Sequence, residues 1–157
     1  LSSAASDVYK RQYQDPSITK YMERLFPDRD EERSYMKDYI QKIYGFYGFG
    51  LWSVIHTVTG TVIGRAGLSV REGYEIPELG FVTEVAFQHQ GYTYEICEAI
   101  LRYAWDELEF PQVQAFCHPE NTASLHLLQK LGFTYAGEDL LQGIPHARYI
   151  VSLPKSC

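Results

Sequence analysis

The segment from residue 78 to residue 108 constrains the fold more than any other part of the chain. An apolar strand, "ELGFVTEVAF", leads into the bend "QHQGYT", and an amphipathic helix follows. The apolar stripe of this helix has the expected spacing and consists of Ile96, Ala99, Ile100, Tyr103 and Leu108. Gly91 lets a ligand approach the backbone closely, while the free N–H groups and dipole of a helix start attract anions. The bend therefore predicts an anion site that needs no lysine or arginine.

Helical and strand patterns alternate along the rest of the chain. The expected order is a helix over 28–47, two strands within 50–70 around a turn at Thr59-Gly60, a strand over 76–87, a helix over 91–108, a strand over 112–118, a helix over 119–132, and strands at 133–137 and 147–153. In the helix over 119–132, Asn121 or Thr122 can cap the start and Gly132 can close the end. This order predicts one α/β domain, with helices packed on a mixed sheet.

Composition excludes several classes of protein. The net charge of -6 argues against general nucleic-acid binding, which needs lysine and arginine to displace phosphate counterions. No apolar run approaches the roughly 20 residues of a membrane span, and no secretion signal is recognisable. The three cysteines, Cys97, Cys117 and Cys157, fit neither a disulfide framework nor a zinc site. We therefore expect a cytoplasmic protein without a metal, in which Cys97 and Cys117 are small buried residues.

The first residues carry a separate signal. "DVYKRQ" at residues 7–12 back-translates into a sequence that resembles a transposon end used to tag DNA for sequencing. We expect residues 1–12 to be read-through from such a tag, and residues 13–157 to form the domain, truncated at its N-terminus. The alternative is an ordinary polar helix end.

Two segments resemble the GNAT superfamily of acyl-CoA-dependent N-acyltransferases. "QHQGYT" at 88–93 is similar to the family's Q/R-x-x-G-x-G/A loop, which binds the pyrophosphate of coenzyme A, and "PENTASLHLLQKLGF" at 119–133 is similar to its last motif helix. "GFGLWSV", "GRAGL" and "ELGF" resemble the branch that acetylates ribosomal-protein N-termini. The resemblance runs from about Tyr13 to Leu153. It implies the GNAT fold, a mixed and mostly antiparallel sheet flanked by helices, with the family's first strand missing.

The resemblance also implies an activity and a coenzyme site. The activity is direct transfer of an acetyl group from acetyl-CoA to the primary amine of a small molecule or a protein N-terminus. The composition already argues against a metal, a nucleic-acid partner and a membrane partner, and a homodimer stays open. An N–H near Thr83 would polarise the thioester carbonyl. The residues carried over to the coenzyme site are Phe81, Val82, Thr83, Gln88, His89, Gln90, Gly91, Tyr92, Thr93, Asn121 and Ser124.

The sequence departs from the family pattern at three positions of the site, one of which is Tyr94 in place of a usually small residue. Thr93 replaces the usual glycine or alanine, and Leu128 stands where many members carry a tyrosine as general acid. Ser124 lies one helical turn after Asn121, so both face the same way. By the resemblance, Ser124 would protonate the leaving thiolate in place of the tyrosine.

The general base is less well defined by the sequence. Glu78, on the central strand, is the first candidate and would act through water; the alternatives are His118, which can titrate near neutrality, and Glu138 or Asp139. The predicted catalytic residues are therefore Ser124 and Glu78. The remaining histidines are expected on the surface or in loops; they are His56, His89, His126 and His146. Gly48, Phe49 and the 71–77 loop are expected to border the acceptor pocket.

Other functions remain open at this point. A non-catalytic acyl-CoA-binding sensor domain would also explain Leu128, and the truncated chain could be an inactive fragment. A dinucleotide-binding domain of the Rossmann type is disfavoured, because it needs G-x-G-x-x-G after its first strand.

Overall fold

A computed structural model describes residues 49–152, which contain six strands and two α-helices. In chain order they are β1 (Leu51–Ile55), β2 (Val62–Ser69), β3 (Glu78–Thr83), α1 (Tyr92–Asp106), β4 (Gln112–Cys117), α2 (Thr122–Lys130), β5 (Thr134–Leu141) and β6 (Ile144–Ser152). The predictions for residues 1–12, for a helix over 28–47 and for the missing first strand fall outside these described residues.

The strands form a single sheet in the order β1-β2-β3-β4-β6-β5. Every neighbouring pair is antiparallel except β3 and β4, which run parallel. The predicted mixed, mostly antiparallel sheet is therefore confirmed. The turn between β1 and β2 also lies where it was predicted: Gly60 adopts a φ of 69° there, and its N–H donates to the carbonyl of His56 at 2.8 Å.

The parallel pair in the middle of the sheet is short. Only Glu78 and Gln114 are in register between β3 and β4, and the Gln114 N–H donates to the carbonyl of Pro77 at 2.9 Å. Beyond Glu78, β3 continues to Thr83 in register with β2 alone. The two central strands therefore diverge and leave an opening in the sheet.

The helices supply the apolar core on one side of the sheet. The buried residues of α1 are Cys97, Ile100, Leu101 and Ala104. The predicted stripe was partly wrong, because Ala99 is exposed and Tyr103 is at the border of exposure, at 36%. The core is completed by buried residues of α2 and of the central strands, among them Leu128, Val113 and Ala115. No helix within residues 49–152 is long and apolar enough to cross a membrane.

Two strand boundaries differ from the prediction. β3 ends at Thr83 instead of residue 87, because the chain turns into a single 3-10 turn at Val85–Phe87, where the N–H of Phe87 donates to the carbonyl of Glu84 at 2.8 Å. The last hairpin is longer than predicted. Its two-residue turn, Gln142-Gly143, has φ values of 51° and 77°, as type I′ hairpin turns require.

Candidate functional site

The divergence of β3 and β4 opens a cleft of about 830 Å³. β3 and the bend after it form one wall, and the end of β4, α2 and the β5–β6 hairpin form the other. All of the predicted coenzyme-binding residues except Gln90 and Tyr92 lie on these walls, as does Glu78. The topology thus brings together most of the residues that the sequence singled out.

Gly91 shapes one end of the cleft. It is the N-cap of α1 in a left-handed conformation, with φ 84° and ψ -3°, and no side chain caps the first turn of the helix. A Cβ added to Gly91 would meet no protein atom within 4 Å. The N–H groups of a helix start and open space beside them are what an anionic group requires, so this end of the cleft fits a diphosphate.

Side chains of the bend form hydrogen bonds with backbone carbonyls in and next to the bend. Gln88 Nε2 donates to the carbonyl of Thr83 at 2.9 Å, and Gln90 Nε2 donates to the carbonyl of Ala86 at 3.0 Å. The hydroxyl groups of Thr83 and Thr93 share a hydrogen bond at 2.7 Å. Thr93, a departure from the family pattern, therefore ties the first turn of α1 to the end of β3.

A histidine from the β1–β2 turn supports the same bend. His56 Nε2 and the Tyr92 hydroxyl share a hydrogen bond at 3.1 Å, while His56 Nδ1 and Thr59 Oγ1 share one at 2.9 Å. The His56 ring also packs against Phe87, with ring centroids 5.6 Å apart. His56 lies in a loop as predicted, but it is half-buried and anchors Tyr92. Sequence reasoning missed this role, since the two residues meet only in the folded sheet.

The start of α2 lies on the opposite wall. Asn121 is the N-cap, and its Oδ1 accepts the N–H of Ser124 at 3.2 Å. Asn121 lies on the cleft wall, and its side-chain NH₂ makes no hydrogen bond to another described residue. Ser124 is half-buried and is the hydroxyl-bearing residue of α2 on the cleft wall. Leu128 is completely buried, and its side chain has no proton to donate.

Lys130 adds a positive charge to this wall. It lies in the last turn of α2, as predicted, and its Nζ is 4.4 Å from the centroid of the Tyr94 ring at the start of α1. A cation this close to an aromatic face is held there by the ring quadrupole. The sequence assigned Lys130 only to the helix end, because its proximity to Tyr94 depends on how the two helices pack.

Glu78 lies where β3 and β4 separate. Arg71 donates to both of its carboxylate oxygens, from Nε to Oε2 and from Nη2 to Oε1, each at 2.9 Å. The Glu78 side chain is 13% exposed and that of Arg71 is 29% exposed. The Arg71 guanidinium also lies over the Phe116 ring, 5.3 Å from its centroid. Glu78 is thus on the cleft wall, with both oxygens engaged by one guanidinium.

The other carboxylate candidates lie off the cleft. Asp139 Oδ2 accepts a hydrogen bond from the Tyr74 hydroxyl at 2.8 Å, and this bond is the main reason that the pKa of Tyr74 is raised. Glu138 is exposed, and neither acid is on the cleft wall. Asp139 therefore anchors the 71–77 loop to β5 through its hydrogen bond with Tyr74.

Only part of the predicted border of the acceptor pocket lies on the cleft. Phe49 is 3% exposed and packs edge-on against Phe110 in the core, so it does not border this cleft. Within the 71–77 loop, Arg71 is on the cleft wall, and Tyr74 lines an adjoining depression of about 680 Å³. Gly48 is outside the described residues.

Apart from His56, the histidines divide into two groups. His89 and His126 are exposed, as predicted. His118 and His146 are half-buried on the cleft wall. Of the two predicted alternatives for His146, surface or loop, the loop is wrong, because the β5–β6 hairpin extends further than predicted and includes His146 in β6.

The described cysteines and acids give no metal site. Within residues 49–152, no group of three or more His, Cys, Asp or Glu side chains could hold a metal ion. Cys97 and Cys117 are buried free thiols, as predicted. Burial raises the pKa of Cys97 to about 12 and that of Cys117 to about 11, so both are protonated at neutral pH.

Comparison with known proteins identifies the family of this chain. The family description "Acetyltransferase (GNAT) domain" matches residues 2–134. The chain is 29% identical over 136 residues to "Uncharacterized N-acetyltransferase p20" of Bacillus licheniformis, a match that spans 84% of this chain and 75% of that protein.

Solved structures share the fold. The acetyltransferase from Agrobacterium tumefaciens str. C58 superposes with a TM-score of 0.79 at 20% identity, covering 98% of this chain and 88% of that one. The spermidine N-acetyltransferase from Vibrio cholerae, solved with CoA and spermine, gives a TM-score of 0.77 at 16% identity, covering 97% and 92%. At these identities the likeness concerns the fold. Because the family match extends over most of the sequence and the fold agrees with it, this chain belongs to the GNAT acetyltransferase family.

Proposed function

We propose that this protein transfers an acetyl group from acetyl-CoA to the primary amine of a small molecule or of a protein N-terminus. The observation that carries the proposal is the cleft between β3 and β4, which ends at the uncapped first turn of α1. Gly91 supports the assignment of the coenzyme, because its missing Cβ leaves the space that a diphosphate would use.

The coenzyme would lie along both walls. Backbone N–H groups from Gly91 to Thr93 would bind the diphosphate, with Lys130 adding a positive charge at the same end. The pantetheine arm would follow Phe81–Thr83, which has no ladder partner on the β4 side. From the other wall, the side-chain NH₂ of Asn121 would donate to it.

The chemistry would take place beside Ser124. Acetyl-CoA supplies the acetyl group as an activated thioester, and the protein must position the amine and stabilise the charge that develops on the carbonyl oxygen. We assign the second task to the N–H near Thr83. Ser124 would donate a proton to the departing sulfur, since Leu128 has no hydroxyl. Glu78 is one candidate for the base, and the cleft histidines are the other.

The acceptor is the open part of the proposal. The structural neighbour from Vibrio cholerae is a spermidine N-acetyltransferase, and the sequence motifs resemble the branch that acetylates ribosomal proteins. Spermidine and short peptides with a free N-terminus are therefore the first acceptors to test. A cytoplasmic location and a homodimer stay predictions.

A second function is favoured by two features of the site. Leu128 offers no hydroxyl, and Glu78 already accepts from Arg71 at both oxygens. A domain that binds acetyl-CoA without turnover would tolerate both features, so a non-catalytic sensor is the alternative.

One experiment separates these functions. Acetyl-CoA is titrated into the protein by calorimetry, and thiol release is then followed with spermidine and with peptides that start with alanine or serine. Binding followed by amine-dependent thiol release supports the transferase, and Ser124→Ala should then lower kcat by about 10- to 100-fold with little change in the affinity for acetyl-CoA. Binding without thiol release supports the sensor. Absence of binding contradicts both.

A further inference from the structure

Two imidazoles meet on the cleft wall at the end of the β4–β6 ladder. The last registered pair of that ladder is Cys117 with Ala147, so His118 and His146 occupy the next positions, opposite each other. Their ring centroids are 6.0 Å apart, with an angle of 84° between the ring planes. Such an edge-to-face contact limits rotation of both rings.

The hydrogen bonds of the two rings specify opposite tautomers. His146 Nδ1 lies 2.8 Å from the carbonyl oxygen of Ile144. A carbonyl oxygen only accepts, so Nδ1 carries the proton and the lone pair of the neutral ring is on Nε2. His118 Nδ1 instead accepts the N–H of Glu120 at 3.2 Å, so the proton of its neutral ring is on Nε2. At Nε2, His146 is thus an acceptor and His118 a donor.

This arrangement suits His146 for proton abstraction. A general base needs an accessible lone pair within hydrogen-bond reach of the proton, and imidazole is well suited to accept one near neutral pH. Among the described residues, Nε2 of His146 makes no hydrogen bond. The carboxylate of Glu78, in contrast, accepts two hydrogen bonds from Arg71.

The electrostatic surroundings of the pair are mixed. Asp139 is opposite His146 in the β5–β6 ladder, and Arg148 is the next residue on the same face of β6. The other charged or titratable groups on the cleft wall are Arg71, Glu78, His89, Tyr94, Cys117 and Lys130.

We propose that His146 is the general base of the acetyl transfer and that His118 is a positioning residue that holds its ring; this inference rests on the proposed function. The ammonium group of the acceptor gives one proton to His146 Nε2. The amine lone pair forms the C–N bond at the thioester carbon, and the C–S bond breaks with its electrons going to sulfur. Ser124 gives its proton to the sulfur and regains one from the new amide nitrogen. His146 releases its proton to solvent.

The tautomers can be tested without any substrate. Histidine labelled with ¹⁵N in the full chain is examined by long-range ¹H–¹⁵N NMR at pH 8, and the signals are assigned with His118→Gln and His146→Gln. The expected result is a proton on Nδ1 of His146 and on Nε2 of His118. A proton on Nε2 of His146 would overturn the assignment, since the lone pair would then be on Nδ1, the nitrogen that faces the carbonyl oxygen of Ile144.

The role in catalysis is tested by steady-state kinetics with the best acceptor of the amine panel. His146→Gln should lower kcat/KM for the amine by about 10²- to 10⁴-fold, remove the acidic limb of its pH profile and leave the affinity for acetyl-CoA within about threefold. His118→Gln should lower kcat by about tenfold and keep the acidic limb. Added imidazole should partly restore turnover in His146→Ala, which a merely structural role would not allow.

Two further variants complete the test. His126→Gln is the matched control, because His126 is an exposed histidine on α2 away from the cleft, and its kinetics should equal those of the unaltered protein. If Glu78→Gln removes the acidic limb while His146→Gln retains it, Glu78 is the base and the inference is wrong. Normal turnover in His146→Gln also overturns the inference alone. Failure of the unaltered protein to bind acetyl-CoA or to acetylate any amine overturns the proposed function, and the inference with it.

Discussion

Replacing Gly91 with alanine tests the diphosphate site directly, because the protein itself leaves room for the added methyl group. The φ of Gly91 is 84°, and an added Cβ meets no protein atom within 4 Å. The expected intramolecular effect is therefore backbone strain alone, about 1–2 kcal/mol for a non-glycine residue in this conformation. For a chain of this length that corresponds to a fall in Tm of about 2–8 °C.

The effect on the coenzyme should be larger than this strain explains. If the diphosphate approaches the first turn of α1, the new methyl group occupies its path and weakens at least one charged hydrogen bond, a loss of roughly 1.5–3 kcal/mol. The dissociation constant for acetyl-CoA should therefore rise by about 10- to 100-fold. Calorimetric titration well below the Tm measures this change on folded protein.

Gly60→Ala is the matched control. Gly60 also has a positive φ, 69°, and open space around its missing Cβ, but it lies in the β1–β2 turn, away from the cleft wall. It should show a similar fall in Tm with unchanged affinity for acetyl-CoA. Equal affinities in the two variants would refute the placement of the diphosphate at Gly91.

Three further outcomes concern the interior of the protein. Gln114→Leu should lower the free energy of unfolding by about 2–4 kcal/mol in urea unfolding, because Gln114 is fully buried and both ends of its amide are hydrogen-bonded. The control is Gln112→Leu, two residues earlier on the same strand; Gln112 is partly exposed, and its loss should cost under about 0.5 kcal/mol. The pKa of Cys117 is raised from 9.0 to about 11, so its thiol should be alkylated at pH 8 about a hundredfold more slowly in the folded than in the urea-unfolded protein. Bound coenzyme A should slow the reaction of the folded protein further, because Cys117 lines the cleft. Peptide mass spectrometry measures these rates, and equal rates in folded and unfolded protein would contradict the burial of Cys117. The folded state keeps the Cys117 proton in a pH range where the unfolded state loses it. The contribution of Cys117 to stability should therefore be full below pH 9 and decline as the pH rises to about 11, and Cys117→Ala should flatten that slope in urea unfolding.

Features that depend only on residues close in the sequence were predicted well. The bend around Gly91 and the turn at Thr59-Gly60 lie where the sequence placed them. Of the two caps that the sequence allowed for α2, Asn121 and Thr122, the structure has Asn121. Gly132 adopts a φ of 92° directly after α2, as a closing glycine does. Each of these is a local backbone conformation that one or two residue types favour.

Errors arose where packing decides between local alternatives. The buried face of α1 includes Cys97 and Leu101 instead of Ala99, because its rotation is set by the strands beneath it. The length of the β5–β6 hairpin was underestimated, although Gly143 after Gln142 was an available signal for its turn. Because of this second error, His146 was not predicted to be a strand residue.

Short-range sequence patterns were sufficient to predict the main turns and caps, the order of the described elements and the motifs from which the family resemblance was drawn. It could not determine which side chains share the cleft. Arg71 binds Glu78, Lys130 lies over Tyr94 and His118 meets His146 only because β3 diverges from β4 and because β4 and β6 pair in one particular register. Strand register and helix packing minimise the free energy of the whole core, so no short segment of the chain encodes these contacts.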